Sequence, residues 1–313
     1  MERTGILLAV VVALCWGGAD VVATFAARRQ GTFTTTSISL VVSATMLVFF
    51  GLLAFSQLAL SLSTFVASIG IGLLTGLMAA IGYFSLYRGL ELGPLAIVSP
   101  VAAADGAVGA VLAVFLLHEG LSSWQFIMLV LIFLGILCAS TNLAEVRGIV
   151  RKSGLRGLVT GGVRWGLLAM ITFGVMLFGI GLAAGKWGWY TPIFWTRTFA
   201  ALVLILFLIS WRQLRPQKFD GEKITQERKP VSARVLGISL AVIVGVLETA
   251  GLLLYSFDTQ LASTGIASAI SSSWGIIPLL AGITIFRERP ASYQLFGVLL
   301  VLSGLFLLAI KPA

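Results

Sequence analysis

The chain has 313 residues, of which 58% are hydrophobic and only 11% charged, with a formal net charge of +9. Soluble domains carry about 25% charge, so a sequence of mean hydropathy +1.05 cannot cover a water-exposed surface and reads as a polytopic, all-α membrane protein. Its cations sit in connectors between apolar runs, where they mark loops facing anionic lipid and exclude nucleic acid as the expected partner.

The first apolar run, 5–26, lacks a cleavage-site pattern and is expected to persist as a helix. It contains Trp16, Gly17, Gly18 and, within Ala19–Arg28 (ADVVATFAAR), Asp20. An ionisable group in hydrocarbon is costly unless it is paired or meets water, so each one marks a candidate site. Gly17, Gly18, Ala19 and Ala23 let a neighbouring helix or a solute come close. Two readings of Asp20 stay open: a carboxyl that trades a proton for a cation, or half of a buried ion pair with Arg197. Spans 34–55 and 66–87 follow, the latter with Tyr83, Tyr87 and the spacing Gly72-x3-Gly76. Span 95–117 carries Pro100 and Asp105. That acid either faces a cavity or satisfies backbone groups freed by a break at the proline. His118 and Glu119 are placed in a solvated loop, and span 124–141 closes the first half.

A basic linker, 142–163, leads to spans 164–184 and 191–211. Trp187, Trp189 and Tyr190 between them read as part of an interfacial aromatic belt. Gly181-x3-Gly185, like its earlier counterpart, speaks for close helix packing. Arg197 either grips a substrate carboxylate with both nitrogens or neutralises one of the acids. The longest polar stretch, Trp211 to Arg234, is too short for a soluble domain. Span 235–256 holds Glu248, with Thr249 and Tyr255 as candidates to complete a polar pocket. Span 265–286 holds Ser271, Ser272, Ser273 and Trp274, as helix-contact glue or as path lining, and 293–310 is the last span. Trp16, Tyr83, Tyr87, Trp195, Tyr255 and Trp274 are candidates to hold a cation over an aromatic face. The two cysteines, Cys15 and Cys138, lie in apolar runs and read as packing residues. With a single histidine they assemble neither a zinc site nor a nucleophile, and there is no Walker loop, so no catalytic group, metal or cofactor is expected.

Leu92–Ala139 aligns without a gap over Leu261–Leu308, with identities at Leu92/Leu261, Ile97/Ile266, Ser99/Ser268, Gly106/Gly275, Glu119/Glu288, Ser123/Ser292, Gln125/Gln294, Leu131/Leu300 and Gly135/Gly304. Hydropathy explains the apolar matches but not the shared Glu-x5-Gln in a loop. The expected architecture is therefore ten transmembrane helices in two five-helix repeats, residues 1–141 and 164–313, joined by 142–163. An odd number of spans per repeat inserts the second one upside down. Connectors after odd-numbered spans hold Arg28, Arg29, Arg88, Arg287, Arg289 and both long basic loops, against Arg3, Lys186 and Lys311 on the other face. By the positive-inside rule both termini lie outside.

The repeat architecture, together with Tyr87–Val101 (YRGLELGPLAIVSPV) and the paired Glu-x5-Gln, resembles the drug/metabolite transporter superfamily, EamA type. The resemblance implies secondary transport of small metabolites, usually export against an ion or proton gradient. It also implies a cavity among spans 1, 3, 4, 6, 8 and 9, with spans 5 and 10 peripheral. The first span is similar to that of the small multidrug resistance proteins: Asp20 stands where they carry a proton-binding glutamate, Thr24 at their threonine and Arg28 at their terminal base. The span at the matching place in the second repeat carries no acid. The expected function is secondary, proton-coupled export of a small amine, cation or zwitterion such as an amino acid, across a cytoplasmic membrane. Asp20, Glu248, Asp105, Arg197, Trp16, Tyr83, Tyr255, Trp274 and Ser273 are the expected contacts with substrate or coupling ion, in a monomer or homodimer. The alternative is a non-transporting scaffold or a lipid-acting membrane protein.

Overall fold

Inside a bilayer the backbone must satisfy its own hydrogen bonds, which leaves helices as the economical solution for apolar runs of this length. A computed structural model describes residues 2–53, 61–117, 122–140, 161–214, 231–261 and 273–310, and among these every regular element is helical. In chain order they are α1 (Glu2–Gln30), α2 (Thr32–Leu53), α3 (Leu62–Ala67), α4 (Ile69–Leu92), α5 (Leu95–Ala102), α6 (Asp105–Leu117), α7 (Ser123–Ser140), α8 (Gly161–Trp187), α9 (Tyr190–Leu214), α10 (Val231–Leu261), a 3-10 turn (Ser273–Gly275), α11 (Ile276–Thr284) and α12 (Ser292–Ile310). Among the described residues six segments are long and apolar enough to cross a membrane: Val10–Gln30, Thr32–Leu53, Ile69–Leu92, Gly161–Trp187, Tyr190–Phe207 and Val235–Tyr255. Leu95–Gly109, Phe126–Ala139 and Ser292–Leu307 are shorter apolar helices. His118, Glu119, Ser271, Ser272 and most of the two basic connectors lie outside the described residues.

The span expected at 66–87 is divided at Ser68, where α3 stops and α4 begins. The span expected at 95–117 is divided too. Pro100 inside α5 has no N–H to donate, and the chain makes a short turn at Ala103–Ala104 before α6 starts at Asp105. In the second half the 3-10 turn at Ser273–Gly275 stands at the aligned place, ahead of α11 with its Pro278.

The two halves use the same devices at matching positions. Gly31 alone joins α1 to α2 with φ 90°, and Gly188 ends α8 with φ 78°, a left-handed backbone that favours glycine at a helix C-terminus. A Cβ on Gly17 would lie 2.8 Å from the Trp274 carbonyl oxygen, and one on Gly174 would lie 2.7 Å from that of Asp105. Gly82 leaves room for Phe173 as Gly251 leaves room for Trp16, and Gly76 meets α9 as Gly245 meets α2. The most extensive helix contacts obey the same exchange: α1 lies along α10 as α8 lies along α4, and α2 meets α10 as α9 meets α4. Helices α7 and α12 pack on each other through Gly135, Gly297 and Gly304. Small residues allow this close approach where lipid offers no hydrophobic drive. Large apolar side chains face outward instead, Leu52 at 71% and Phe115 at 72% exposure among them.

At one end of the bundle two carboxylates from loop or helix ends receive helix N-termini. Glu288 accepts from the Leu95 and Ala96 amides at 2.9 and 2.8 Å, at the start of α5, and pairs with Arg28 at 3.1 Å. Glu91 accepts from both the amide and the hydroxyl of Thr32 at the start of α2 and pairs with Arg88 at 2.9 Å. A carboxylate there meets both the unpaired N–H groups and the positive end of the helix dipole. Glu288 follows Arg287, whose φ of 54° turns the chain back toward α5.

Candidate functional site

The broken helices leave a space inside the bundle. A cavity of about 50 Å³ is lined by Trp16 and Asp20 of α1, Tyr83 and Leu86 of α4, Asp105 at the head of α6, Phe173, Met176 and Leu177 of α8, Glu248 and Leu252 of α10, and Trp274. That is room for a few waters. Six of the nine residues expected at the site therefore share one cavity: Asp20, Asp105, Glu248, Trp16, Tyr83 and Trp274.

Asp20 is 1% exposed, and its Oδ2 accepts a short hydrogen bond from Ser99 Oγ of α5. The Thr24 hydroxyl turns back to the Asp20 carbonyl oxygen at 2.8 Å, so it serves the helix backbone and not the carboxylate. Asp105 is half-buried in the first turn of α6, where unpaired amides and the helix dipole favour a negative group. Glu248 belongs to a three-membered polar chain. Tyr83 Oη donates to Glu248 Oε2 at 2.7 Å, Arg197 Nη2 donates to Tyr83 Oη at 2.6 Å, and the same nitrogen lies 3.6 Å from Glu248 Oε2. The guanidinium also sits over the Tyr83 ring, 4.5 Å from its centroid, in a cation–π contact. Phe173 meets that ring edge to face, with 4.8 Å between the centroids.

Two of the expected residues fall elsewhere, and a third is not described. Arg197 does not line the cavity; it is buried behind Tyr83, and its Nε has no hydrogen-bond partner among the described residues. Tyr255 stands behind Trp16, ring to ring at 5.4 Å. The Ser273 side chain is outside the described residues, although its backbone lies in the 3-10 turn beside the cavity.

The pairing of Asp20 with Arg197, one of its two readings, is overturned, since Arg197 is committed to Tyr83 and Glu248. Thr249 does not complete the pocket: its hydroxyl crosses to Ser43 of α2 at 2.7 Å. Trp195 packs against Phe65 and Phe199 and donates to the Phe65 carbonyl at 2.9 Å, away from the cavity. Tyr190, expected in an interfacial belt, is buried, with its hydroxyl on the Leu47 carbonyl at 2.6 Å. Of Gly72-x3-Gly76 and Gly181-x3-Gly185, the first packs against α9 and the second faces open space.

Ser99 and Phe173 are site residues that the sequence did not single out. Ser99 carried a signal, since it precedes the helix-breaking proline and repeats as Ser268. Phe173 carried none among the 20 phenylalanines.

Apolar helices of membrane-spanning length, in two halves that repeat each other's breaks and close contacts around a carboxylate-lined cavity, define a multi-pass membrane protein of internally duplicated design. The model of the EamA-like transporter family matches residues 3–141 and again 160–310, and the chain belongs to that family, membrane transporters of the drug/metabolite type. No curated protein sequence matches the chain. A solved structure, titled only "Crystal structure of protein", is similar over 98% of this chain and 96% of its own, with a TM-score of 0.53 at 16% identity, a likeness that speaks for the fold alone.

Proposed function

We propose that the protein is a proton-coupled secondary transporter that exports a small amine, cation or zwitterionic metabolite such as an amino acid across a cytoplasmic membrane. In this reading ten transmembrane helices form two inverted repeats, residues 1–141 and 164–313, joined by the basic linker 142–163, with both termini outside and the protein acting as a monomer or homodimer. The carrying observation is the setting of Asp20. It is buried in the cavity wall between the repeats, held by the Ser99 hydroxyl, and no Lys or Arg is ion-paired to it among the described residues. A lone carboxyl there takes either a proton or a cationic cargo group, and competition for one site couples the two fluxes.

Glu248 and Asp105 complete the acidic wall, while Trp16, Tyr83 and Trp274 offer aromatic faces to a cation. The breaks at Ala103–Ala104 and Ser273–Gly275 support alternating access, since discontinuous helices in matched positions are where such transporters bind and rock. The test is exchange of amines and amino acids against a pH gradient in proteoliposomes. Asp20→Asn is expected to abolish gradient-driven exchange while the protein still folds. Exchange at the wild-type rate in that variant would remove Asp20 from the mechanism.

A further inference from the structure

The polar chain Arg197–Tyr83–Glu248 has no counterpart in the other half. The glycine register that sets Gly76 on Gly245 and Gly82 on Gly251 sets Leu252 opposite Tyr83 and Ala79 opposite Glu248. The register that sets Gly17 on Gly174 and Gly31 on Gly188 sets Leu40 opposite Arg197 and Leu177 opposite Asp20. Leu40, Ala79 and Leu252 are all buried in the core, so the fold packs these positions with apolar residues alone. A charge-bearing chain added to one half is therefore not a demand of the architecture, and its placement is informative. Glu248 and the Tyr83 ring line the cavity, while Arg197 sits behind the ring, in contact with both, and does not itself line the cavity.

We infer that Arg197 is a specificity-determining residue that acts through Glu248: it cancels that carboxylate's charge from behind, so that the cavity accepts cargo bearing a single positive charge. This rests on the reading of the cavity as a cation site. With Glu248 answered by Arg197 and Asp105 placed at the positive end of α6, Asp20 is the acid left without an offsetting group in the described structure. One uncompensated carboxylate balances one ammonium group. A dication entering the same low-dielectric space leaves a charge unmatched, and such a mismatch is penalised far more there than in water. Tyr83 fixes the arrangement, since its hydroxyl accepts from Arg197 and donates to Glu248.

The experiment is equilibrium binding of hexylamine and 1,6-diaminohexane to purified full-length protein, in wild type, Glu248→Gln, Arg197→Met and the double variant. Wild type is expected to prefer the monoamine. Glu248→Gln leaves a bare cation in the wall and weakens the monoamine by about tenfold or more. The double variant, neutral again, recovers it to within about threefold. Arg197→Met exposes a second carboxylate and shifts the preference toward the diamine by about tenfold. A double variant that binds the monoamine no better than Glu248→Gln overturns the inference, because Glu248 is then a direct ligand. So does an unchanged amine preference in a folded Arg197→Met. If Arg197→Met is not recovered folded, the double variant decides alone. Wild type that binds neither amine sinks the cation reading itself, and this inference with it.

Discussion

At the scale of residues, the site depends on single hydroxyls. The Tyr83 hydroxyl bridges Arg197 and Glu248, whose direct separation of 3.6 Å is too long for a hydrogen bond. Tyr83→Phe keeps the ring, its contact with Phe173 and the stacking of Arg197, and removes only the bridge. It is expected to lower stability by about 1–3 kcal/mol, the cost of leaving buried, charged groups short of a partner. The melting transition of the protein in detergent measures this, and an unchanged midpoint means that the ion pair closes the gap unaided. Ser99→Ala is a milder change of the same kind, removing a hydroxyl that donates to Asp20. Gradient-driven exchange is expected to slow several-fold in proteoliposomes, by less than in Asp20→Asn. A rate equal to wild type shows that the carboxylate holds its position without Ser99. The acids and aromatics of this cavity were legible in the sequence because polar groups in hydrocarbon are few and conspicuous. Their partners were not, since an apolar helix gives no clue to which face meets which neighbour. Arg197 therefore suited Asp20 as well as Glu248 until the rotation of α9 was known.

At the scale of elements, identical local patterns have opposite meanings. Gly76 and Gly181 both belong to a Gly-x3-Gly spacing, yet a Cβ on Gly76 would come within 2.6 Å of Phe199 Cβ and one on Gly181 would meet nothing within 4 Å. Gly76→Val forces α4 away from α9 and is expected to destabilise by about 1–3 kcal/mol or more, as overpacking does. Gly181→Val is expected to leave stability unchanged or slightly raised. Melting of the two variants side by side checks the contrast, and a Gly76→Val variant as stable as Gly181→Val and wild type would show that α4 and α9 are free to part. Pro100 foretold the break in the fourth span because the missing N–H is written in the sequence. The division at Ser68 was not foretold, as no proline marks it and the turn is closed by backbone bonds from Ser68 and Gly72. The Glu-x5-Gln loop shows a third case. Its repetition was visible, but not that Glu288 would reach from one repeat to cap α5 of the other.

At the scale of the molecule, the symmetry of the backbone and the asymmetry of the charges bear on how the two ends behave. The described backbone repeats its breaks and close helix contacts from one half to the other. Arg28, at one end, has no such twin among the described residues. Arg28 pairs with Glu288, donates to the Gly93 and Leu90 carbonyl oxygens at 2.8 and 3.1 Å, and lies 4.9 Å from the Phe286 ring centroid. It thereby ties α1 to the α4–α5 junction and to the end of α11. The position matching Arg28 in the second repeat is Gly185, which has nothing to tie. If the halves rock about the cavity, the state closed at the Arg28 end is favoured by these contacts, and their loss shifts the population toward opening there. Leu86 lines the cavity and is buried, so Leu86→Cys reports on access once Cys15 and Cys138 are replaced by alanine. In sealed vesicles, an impermeant thiol reagent applied from the Arg28 face is expected to label that cysteine slowly. Adding Arg28→Gln is expected to speed labelling by about tenfold, which corresponds to about 1.4 kcal/mol of lost preference for the closed state. Faster labelling from the opposite face alone would place the opening at the other end. Equal rates with and without Arg28 would mean that the helix-to-helix packing of Gly93 on Gly162, where a Cβ at either glycine would strike the other's backbone, holds this end shut without electrostatic help.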